Sequence, residues 1–188
     1  MQVPPSRPSL SLERRNPTGI DDTSGADALG SVSGMAISPY VARLREKVGH
    51  ELLVLPSVAV LPRDDAGQIL LVQLADTSQW ATIGGAIEPD ESPEEAALRE
   101  AEEEAGVRLT LGPLLRVLGG PEYRLVYPNG DQTAYVTMVF DARVVSGSPE
   151  PDGDETVAVR WWAGDALPFE QMSSFTNALF AAVGLGPA

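Results

Sequence analysis

The chain has 188 residues, 43% of them hydrophobic and 21% charged, an ordinary balance for a globular protein that can bury one core. It has no cysteine and a single histidine, His50, which excludes disulfides, thiolate metal sites, cysteine nucleophiles and histidine-rich metal centres. The formal net charge of −14 argues against a polynucleotide partner, because nucleic-acid-binding proteins present a basic surface. A metal in this chain would therefore need oxygen ligands, which favours Mg²⁺, Mn²⁺ or Ca²⁺.

The chain divides by composition into a tail and a domain. Residues 1–35 are rich in Pro, Ser, Gly and Asp without apolar periodicity, which predicts a disordered tail. Residues 36–188 are predicted to form one domain, and Met35 at the junction is an alternative start. No signal-like core or membrane-length apolar run is seen, so we expect a cytoplasmic protein with no membrane partner.

Helical and strand-like patterns are interleaved along the domain. In chain order they predict a helix over 40–48, strands over 57–61 and 69–74, an extended segment over 82–88, a helix over 93–105, strands over 109–118, 123–127, 132–144 and 156–162, and a helix over 169–183. Turn sequences at 64–67 and 128–131 predict hairpins. This order predicts an α+β or α/β sandwich.

The helix over 93–105 has clear start and stop signals. Ser92 suits the N-cap, Pro93 suits the first turn, and Glu95 completes a capping box. Gly106 is a natural end. Because both ends are defined by local chemistry, the faces of this helix can be assigned from the helical period.

Three glutamates share one arc of this helix. At about 100° per residue, Glu104 lies roughly 40° to one side of Glu100 and Glu103 roughly 60° to the other. Ala96 shares that arc and is predicted to leave room for a ligand. The adjoining arc, predicted to face the core, carries Ala97, Leu98, Ala101 and Ala105, and Glu95 and Glu102 are expected to face water.

This acidic arc has two interpretations. The three glutamates repel by ~0.2–0.5 kcal/mol per neighbouring pair, with no lysine at i+4 to relieve them, and Arg99 is the only base in 88–104. An arc of this kind is either a solvated acidic face or a set of converging oxygen ligands for a hard cation. The helix alone does not decide between them.

The surrounding residues decide it, because residues 85–107 resemble the Nudix box. That signature is Gly, five residues, Glu, seven residues, Arg-Glu, an apolar residue, any residue, Glu-Glu, any residue, Gly and an apolar residue. This chain matches it with Gly85, Glu91, Arg99, Glu100, Ala101, Glu103, Glu104, Gly106 and Val107. Ala101 is smaller than the aliphatic residue usual in the family, which affects packing rather than ligands.

The resemblance implies a Nudix fold, an α/β/α sandwich with a mixed central sheet and a small antiparallel sheet between helices. It also implies a hydrolase that uses Mg²⁺, or Mn²⁺ as a substitute. The implied metal ligands are Glu100, Glu103, Glu104 and the Gly85 carbonyl. Glu91 and Arg99 are implied to form a buried pair that braces the loop against the helix.

The resemblance further implies a small-molecule substrate in which a nucleoside diphosphate is linked to another moiety, as in a nucleotide sugar, a dinucleotide or a nucleoside triphosphate. With no cysteine available, the general base is expected to be a carboxylate or a metal hydroxide. Glu103 or Glu104 is favoured for it within the box, and Glu155 is a candidate outside it, or else an ordinary loop acid. Weak candidates for substrate binding are Tyr123, Arg124 and Glu155. A homodimer and a non-catalytic, nucleotide-sensing domain are left open.

Overall fold

The computed structural model describes residues 38–187, so the tail predicted at 1–35 lies outside the described residues. Within this part of the chain are the helices α1 (Pro39–Val48), α2 (Pro93–Ala105) and α3 (Ser174–Ala182), with 3-10 turns at Pro121–Tyr123 and Phe169–Gln171. The strands are β1 (Leu53–Arg63), β2 (Ile69–Leu74), β3 (Trp80–Ala81), β4 (Arg108–Leu118), β5 (Arg124–Val126), β6 (Gln132–Ser146) and β7 (Thr156–Trp162). No helix in this described part is long and apolar enough to cross a membrane.

The strands form a mixed sheet with two sections. In the larger section β1 and β6 run parallel, while β4 and β5 pair antiparallel with β6. β2 leaves β1 through the hairpin predicted at 64–67, where Arg63 pairs with Ile69. β2 also pairs antiparallel with both β3 and β7, which gives a smaller antiparallel section. The predicted α+β fold with a mixed sheet is therefore confirmed.

Helices cover both faces of the sheet. Val58 and Val60 of β1 belong to the core under α2, whereas Ala59 and Leu61 belong to the core under α3. Successive residues of a strand point to opposite faces, so the apolar run at 58–61 is buried on both sides. The result is an α/β/α arrangement with one core on each side of the sheet.

The prediction for the core face of α2 is wrong at its margins. Its buried residues are Ala96, Ala97, Glu100, Ala101, Glu104 and Ala105. The small alanines let the helix lie close to the sheet, and the buried arc therefore extends over two of the glutamates. Leu98, expected in the core, falls at the edge of this arc and is 40% exposed. Ala96, expected to leave room for a ligand, is packed in the core.

Three of the other differences from the predicted bounds have a structural reason. β1 begins at Leu53 and continues through Pro56, whose carbonyl accepts a hydrogen bond from Ile87, so the missing N–H of proline faces this loop rather than β6. The strand predicted at 123–127 is shortened because Tyr123 ends a 3-10 turn. The helix predicted at 169–183 is divided before Ser173, which caps α3 by accepting the N–H of Thr176.

Candidate active site

The ends of α2 are formed as predicted. The Ser92 hydroxyl accepts the N–H of Glu95 at 3.2 Å, and the Glu95 carboxylate accepts the N–H of Ser92 at 2.8 Å. Gly106 ends the helix in the left-handed conformation, with φ of 64°. This capping fixes the register of the glutamates relative to the loop before the helix.

Two glycines before α2 bring the backbone close to its carboxylates. Gly84 donates its N–H to Glu104 Oε2 at 3.0 Å. A Cβ at Gly85 would collide with the Glu100 carboxylate, and a Cβ at Gly84 would collide with the Val58 carbonyl oxygen. Gly84 also has φ of 153°, which side-chain-bearing residues rarely adopt. Glycine is therefore required at Gly84, whereas a side chain at Gly85 would displace the Glu100 carboxylate.

Glu100 and Glu104 are buried acids, with relative exposures of 8% and 4%. Burial raises the pKa of Glu100 to about 7, while Arg99 opposes the shift and the charges of Glu103 and Glu155 add to it. Burial raises the pKa of Glu104 well above its usual range, and the charge of Glu100 adds to the shift. Two buried carboxylates that repel each other are unfavourable unless a proton or a cation compensates them.

Arg99 connects the loop to the helix. It donates to both carboxylate oxygens of Glu91, from Nε at 2.8 Å and from Nη2 at 3.0 Å, and Nη2 also donates to the Ala86 carbonyl at 3.2 Å. The hydrogen bonds from Arg99 hold the pKa of the Glu91 carboxyl below its usual range, and the N–H of Glu88 and the charge of Arg99 act in the same direction. The predicted pair of Glu91 and Arg99 is therefore present, with exposed side-chain fractions of 14% and 30%.

Arg99 also contacts two of the three glutamates on the acidic arc. Its Nη1 donates to Glu100 Oε1 at 2.8 Å and to Glu103 Oε2 at 2.9 Å. No lysine stands at i+4 to relieve this arc, but Arg99 offsets the repulsion at these two residues. Arg99 lies one helical turn before Glu103, a spacing at which side chains meet. The repulsion between Glu100 and Glu104 remains.

Glu155 approaches the same site from the start of β7. Its carbonyl accepts the N–H of Ala75 at 2.9 Å, just after β2. Its charge raises the pKa of both Glu100 and Glu104. Thr156, the next residue, donates its hydroxyl to the Glu104 carbonyl oxygen at 2.8 Å. The fold thus brings Glu155, distant in sequence, close enough to the buried glutamates of α2 for their charges to interact.

A cleft opens beside Glu104, and sequence reasoning missed most of its lining. Besides Gly84, Gly85 and Glu104, it is lined by the aromatic side chains of Tyr127, Tyr135 and Phe175. The two tyrosine hydroxyls are hydrogen-bonded at 2.7 Å. A signal was available in β6, where Tyr135 and Thr137 place hydroxyl groups at alternate positions among the apolar residues Ala134, Val136 and Met138.

The weak substrate-binding candidates Tyr123 and Arg124 do not line this cleft. Tyr123 is buried in the core under α3, edge-to-face with Phe175 at 5.3 Å between ring centroids. Arg124 is exposed at the start of β5. Of the three residues in that group, the structure brings Glu155 alone to the carboxylates of α2.

The oxygen atoms available at this site are the kind of ligand that a hard divalent cation prefers. Within residues 38–187, no three acidic or histidine side chains are already arranged as the ligands of one ion. Glu103 in particular is directed to Arg99 and is 60% exposed. The available donors are nevertheless all oxygens, which Mg²⁺ and Mn²⁺ prefer. Glu100 and Glu104 are buried and repel each other, an arrangement that a cation would stabilise.

Comparison with known proteins agrees with this geometry. A family model described as the NUDIX domain matches residues 54–182. The chain belongs to the Nudix family. The resemblance drawn from residues 85–107 is thereby confirmed, and the family model extends the match from the box to most of the described residues.

Two relatives and one solved structure are similar to this Nudix chain. It is 32% identical over 125 residues to "Putative 8-oxo-dGTP diphosphatase" of Bacillus subtilis (strain 168), covering 63% of this chain and 77% of the relative. It is 30% identical over 149 residues to a MutT-like protein of Streptomyces ambofaciens, covering 79% and 89%. The crystal structure of a UDP-X diphosphatase matches with a TM-score of 0.59 and 25% identity, covering 77% of this chain and 68% of that one. This Nudix protein is therefore a pyrophosphohydrolase, an enzyme that acts on phosphoric anhydrides.

Proposed function

We propose that this Nudix hydrolase uses Mg²⁺, or Mn²⁺ in its place, to cleave the diphosphate bond of a nucleoside diphosphate linked to another moiety, by attack of water at phosphorus. The observation that carries the proposal is the burial of Glu100 and Glu104 side by side, against Gly84 and Gly85, at the edge of a cleft. A buried pair of like charges is retained at a cost to stability, which is expected at a catalytic site and not on a solvated surface.

The residues that would hold the cation are Glu100, Glu103, Glu104 and the Gly85 carbonyl. The bound cation would lower the pKa of water and neutralise the phosphoryl oxygens of the substrate. Glu91 and Arg99 would keep the loop that carries Gly85 in register with α2, through the paired hydrogen bonds at 2.8 and 3.0 Å. Their role in this proposal is to orient the ligands.

A carboxylate is the natural acceptor for the proton of the attacking water, because the chain has no cysteine and its one histidine, His50, pairs with Asp131 at 2.8 Å. Three carboxylates are candidates: Glu103, Glu104 and Glu155. Glutamine at each position in turn would remove the acceptor while keeping the size of the side chain. The candidate whose variant loses turnover that saturating Mg²⁺ does not restore is the general base.

The substrate is proposed to be a small nucleotide derivative: a nucleotide sugar, a dinucleotide or a nucleoside triphosphate. The aromatic side chains of Tyr127, Tyr135 and Phe175 support this, because their faces can pack against a nucleobase. The names of two similar proteins, "Putative 8-oxo-dGTP diphosphatase" and "UDP-X diphosphatase", point to the same class.

A substrate panel tests the proposal. The full chain is incubated with 8-oxo-dGTP, dGTP, UDP-glucose, ADP-ribose and a dinucleoside polyphosphate, each with Mg²⁺, with Mn²⁺ and with EDTA, and products are separated by chromatography. We expect cleavage of at least one diphosphate bond with either cation and none with EDTA. Full activity in EDTA would contradict the role of the cation, and intact substrates throughout would contradict the proposed substrate class.

A further inference from the structure

A loop from a distant part of the chain caps the carboxyl-terminal end of α2. The last carbonyl groups of a helix have no partner within the helix. Here the Ala105 carbonyl accepts the N–H of Glu150 at 3.1 Å, and the Glu104 carbonyl accepts the hydroxyl of Thr156 at 2.8 Å. The loop at 150–156 is therefore joined to the helix at both of its ends.

Asp152 holds this loop together from within. Its Oδ1 accepts the N–H groups of Asp154 at 3.1 Å, Glu155 at 3.1 Å and Thr156 at 2.8 Å. Three successive N–H groups that converge on one carboxylate fix the backbone around it. The backbone of Glu155 lies in the middle of this set.

Thr156 joins the loop to the helix. It is fully buried, and its hydroxyl has one proton and two acceptors in reach: the Glu104 carbonyl at 2.8 Å and Asp152 Oδ1 at 3.0 Å. The same hydroxyl oxygen accepts the N–H of Asp152 at 3.2 Å. One side chain thus connects the turn made by Asp152 to the helix residue whose carboxylate lies in the site.

We infer that Thr156 and Asp152 are positioning residues that set the Glu155 carboxylate relative to Glu100 and Glu104. The inference rests on the proposed function, because it assigns Glu155 to the same site. A loop residue without such anchors samples many conformations. A displacement of roughly 1 Å at a reacting centre can lower a rate about a hundredfold, so two hydrogen-bonding side chains that touch no substrate control turnover.

Thr156→Val is the first test, because it removes the hydroxyl at nearly constant volume. We expect kcat to fall at least about tenfold and KM to change little, since the cleft that holds the nucleoside is not altered. Thr156→Ser restores the hydroxyl and should restore kcat. Thr133→Val is the matched control: Thr133 is 2% exposed, its hydroxyl accepts a hydrogen bond from Arg45 at 3.1 Å, and it does not line the cleft. The kcat of Thr133→Val should match that of the parent even if its melting temperature falls as far as that of Thr156→Val.

Asp152→Ala is the second test, and it decides the matter if Thr156→Val does not fold. Asp154→Ala removes the same charge from the same exposed loop and is its control. Besides kcat, the rise in melting temperature caused by Mg²⁺ alone is measured. We expect a smaller rise for Thr156→Val and Asp152→Ala than for the parent and the controls, because the negative charge of Glu155 acts on Glu100 and Glu104 and would help to attract the cation even though Glu155 is not a proposed ligand.

Parental kcat together with a parental Mg²⁺ shift in every folded variant of Thr156 and Asp152 would overturn the inference. A kcat for Thr156→Ser as low as that of Thr156→Val would also overturn it, because the hydroxyl would then not be the cause. If the parent itself hydrolyses none of the panel, the proposed function fails, and the Mg²⁺ shifts still decide whether the loop positions Glu155.

Discussion

Gly84 donates its backbone N–H to the Glu104 carboxylate at 3.0 Å, across twenty positions of sequence. Through this bond the loop before α2 contacts a side chain from the last turn of the helix. The neighbouring Gly85 leaves space that the Glu100 carboxylate fills. The two glycines and the two buried glutamates therefore form one packed unit, and the first prediction concerns that packing.

Gly85→Ala should lower both stability and turnover. The added Cβ would overlap the Glu100 carboxylate, so either the loop or the side chain must move. We expect kcat/KM to fall on the order of a hundredfold, because the displaced groups are the proposed ligands. Gly164→Ala is the control, since its Cβ would meet nothing closer than Leu185 at 3.9 Å. Parental kinetics for Gly85→Ala would show that the close contact has no catalytic importance.

Arg99→Ala should lower the free energy of unfolding by about 1–3 kcal/mol, because Glu91 would remain as a mostly buried carboxylate without its partner. Turnover should fall as well, since the loop that carries Gly85 would lose its brace. Arg108→Ala is a suitable control. The pair of Arg108 and Glu102 is 72% and 62% exposed and should be worth no more than about 0.5 kcal/mol. Chemical denaturation of the two variants compares them directly, and equal stabilities would contradict the bracing role.

The pKa of Asp131 determines how acid affects the stability of the fold away from the proposed site. Burial disfavours its charge, but hydrogen bonds with His50 and Asn129 and the charge of Arg45 hold the pKa of its carboxyl below the ordinary 3.8. The unfolded chain therefore binds the proton more readily, and the stability that Asp131 contributes is present above pH 3.8 and lost as pH falls through the lower folded pKa.

Asp131→Asn should accordingly be less stable than the parent at pH 7, by about 1–2 kcal/mol. The difference should shrink as the pH is lowered from about 5 to about 2, where the parent's own carboxyl becomes protonated. Urea unfolding of both proteins across this range measures it. A difference that stays constant would mean that the charge of Asp131 is not what stabilises the contact between α1 and the turn before β6.

Removal of residues 1–35 should leave turnover and melting temperature nearly unchanged. The composition of this segment is poor in residues that can bury a core. The truncated chain retains Ser38, which caps α1 by accepting the N–H of Val41. A fall of many degrees in the melting temperature of the truncated protein would show that the tail contributes to the fold.

Local chemistry made α2 predictable from the sequence. Its N-cap, capping box and terminal glycine are encoded within a few residues, and its predicted bounds agree with the observed Pro93–Ala105. β2 and β7 were predictable for a similar reason, because each is a short apolar run between turn signals. The pair of Glu91 and Arg99 was predicted from the resemblance to the family, since spacing alone does not distinguish it from a surface ion pair.

Features that depend on tertiary contacts were not predictable in the same way. The burial of Glu100 and Glu104 depends on how closely the alanines let α2 approach the sheet, which the helical period does not give. The aromatic cleft combines residues of β6 and α3 that are far apart in sequence. The capping of α2 by Thr156 is likewise a long-range contact, 52 positions away from Glu104.

Glu103 and Glu102 offer the most direct test of the central claim, that the acidic arc of α2 is a catalytic metal site. The two residues are adjacent on one helix, their side chains are 60% and 62% exposed, and each contacts one arginine. They differ in the helix face they occupy: Glu103 shares the arc of Glu100 and Glu104, whereas Glu102 lies on the face directed to water. Glutamine at either position should change the stability of the metal-free protein by no more than about 0.5 kcal/mol.

The decisive measurement is the Mg²⁺-dependent kcat of Glu103→Gln beside that of Glu102→Gln, on a substrate that the parent cleaves. We expect kcat to fall on the order of a hundredfold or more for Glu103→Gln, because a ligand or a proton acceptor is lost. We expect parental kcat for Glu102→Gln. Equal and undiminished turnover in both variants would contradict the metal site proposed here, because Glu103 would then be an ordinary solvent-exposed acid.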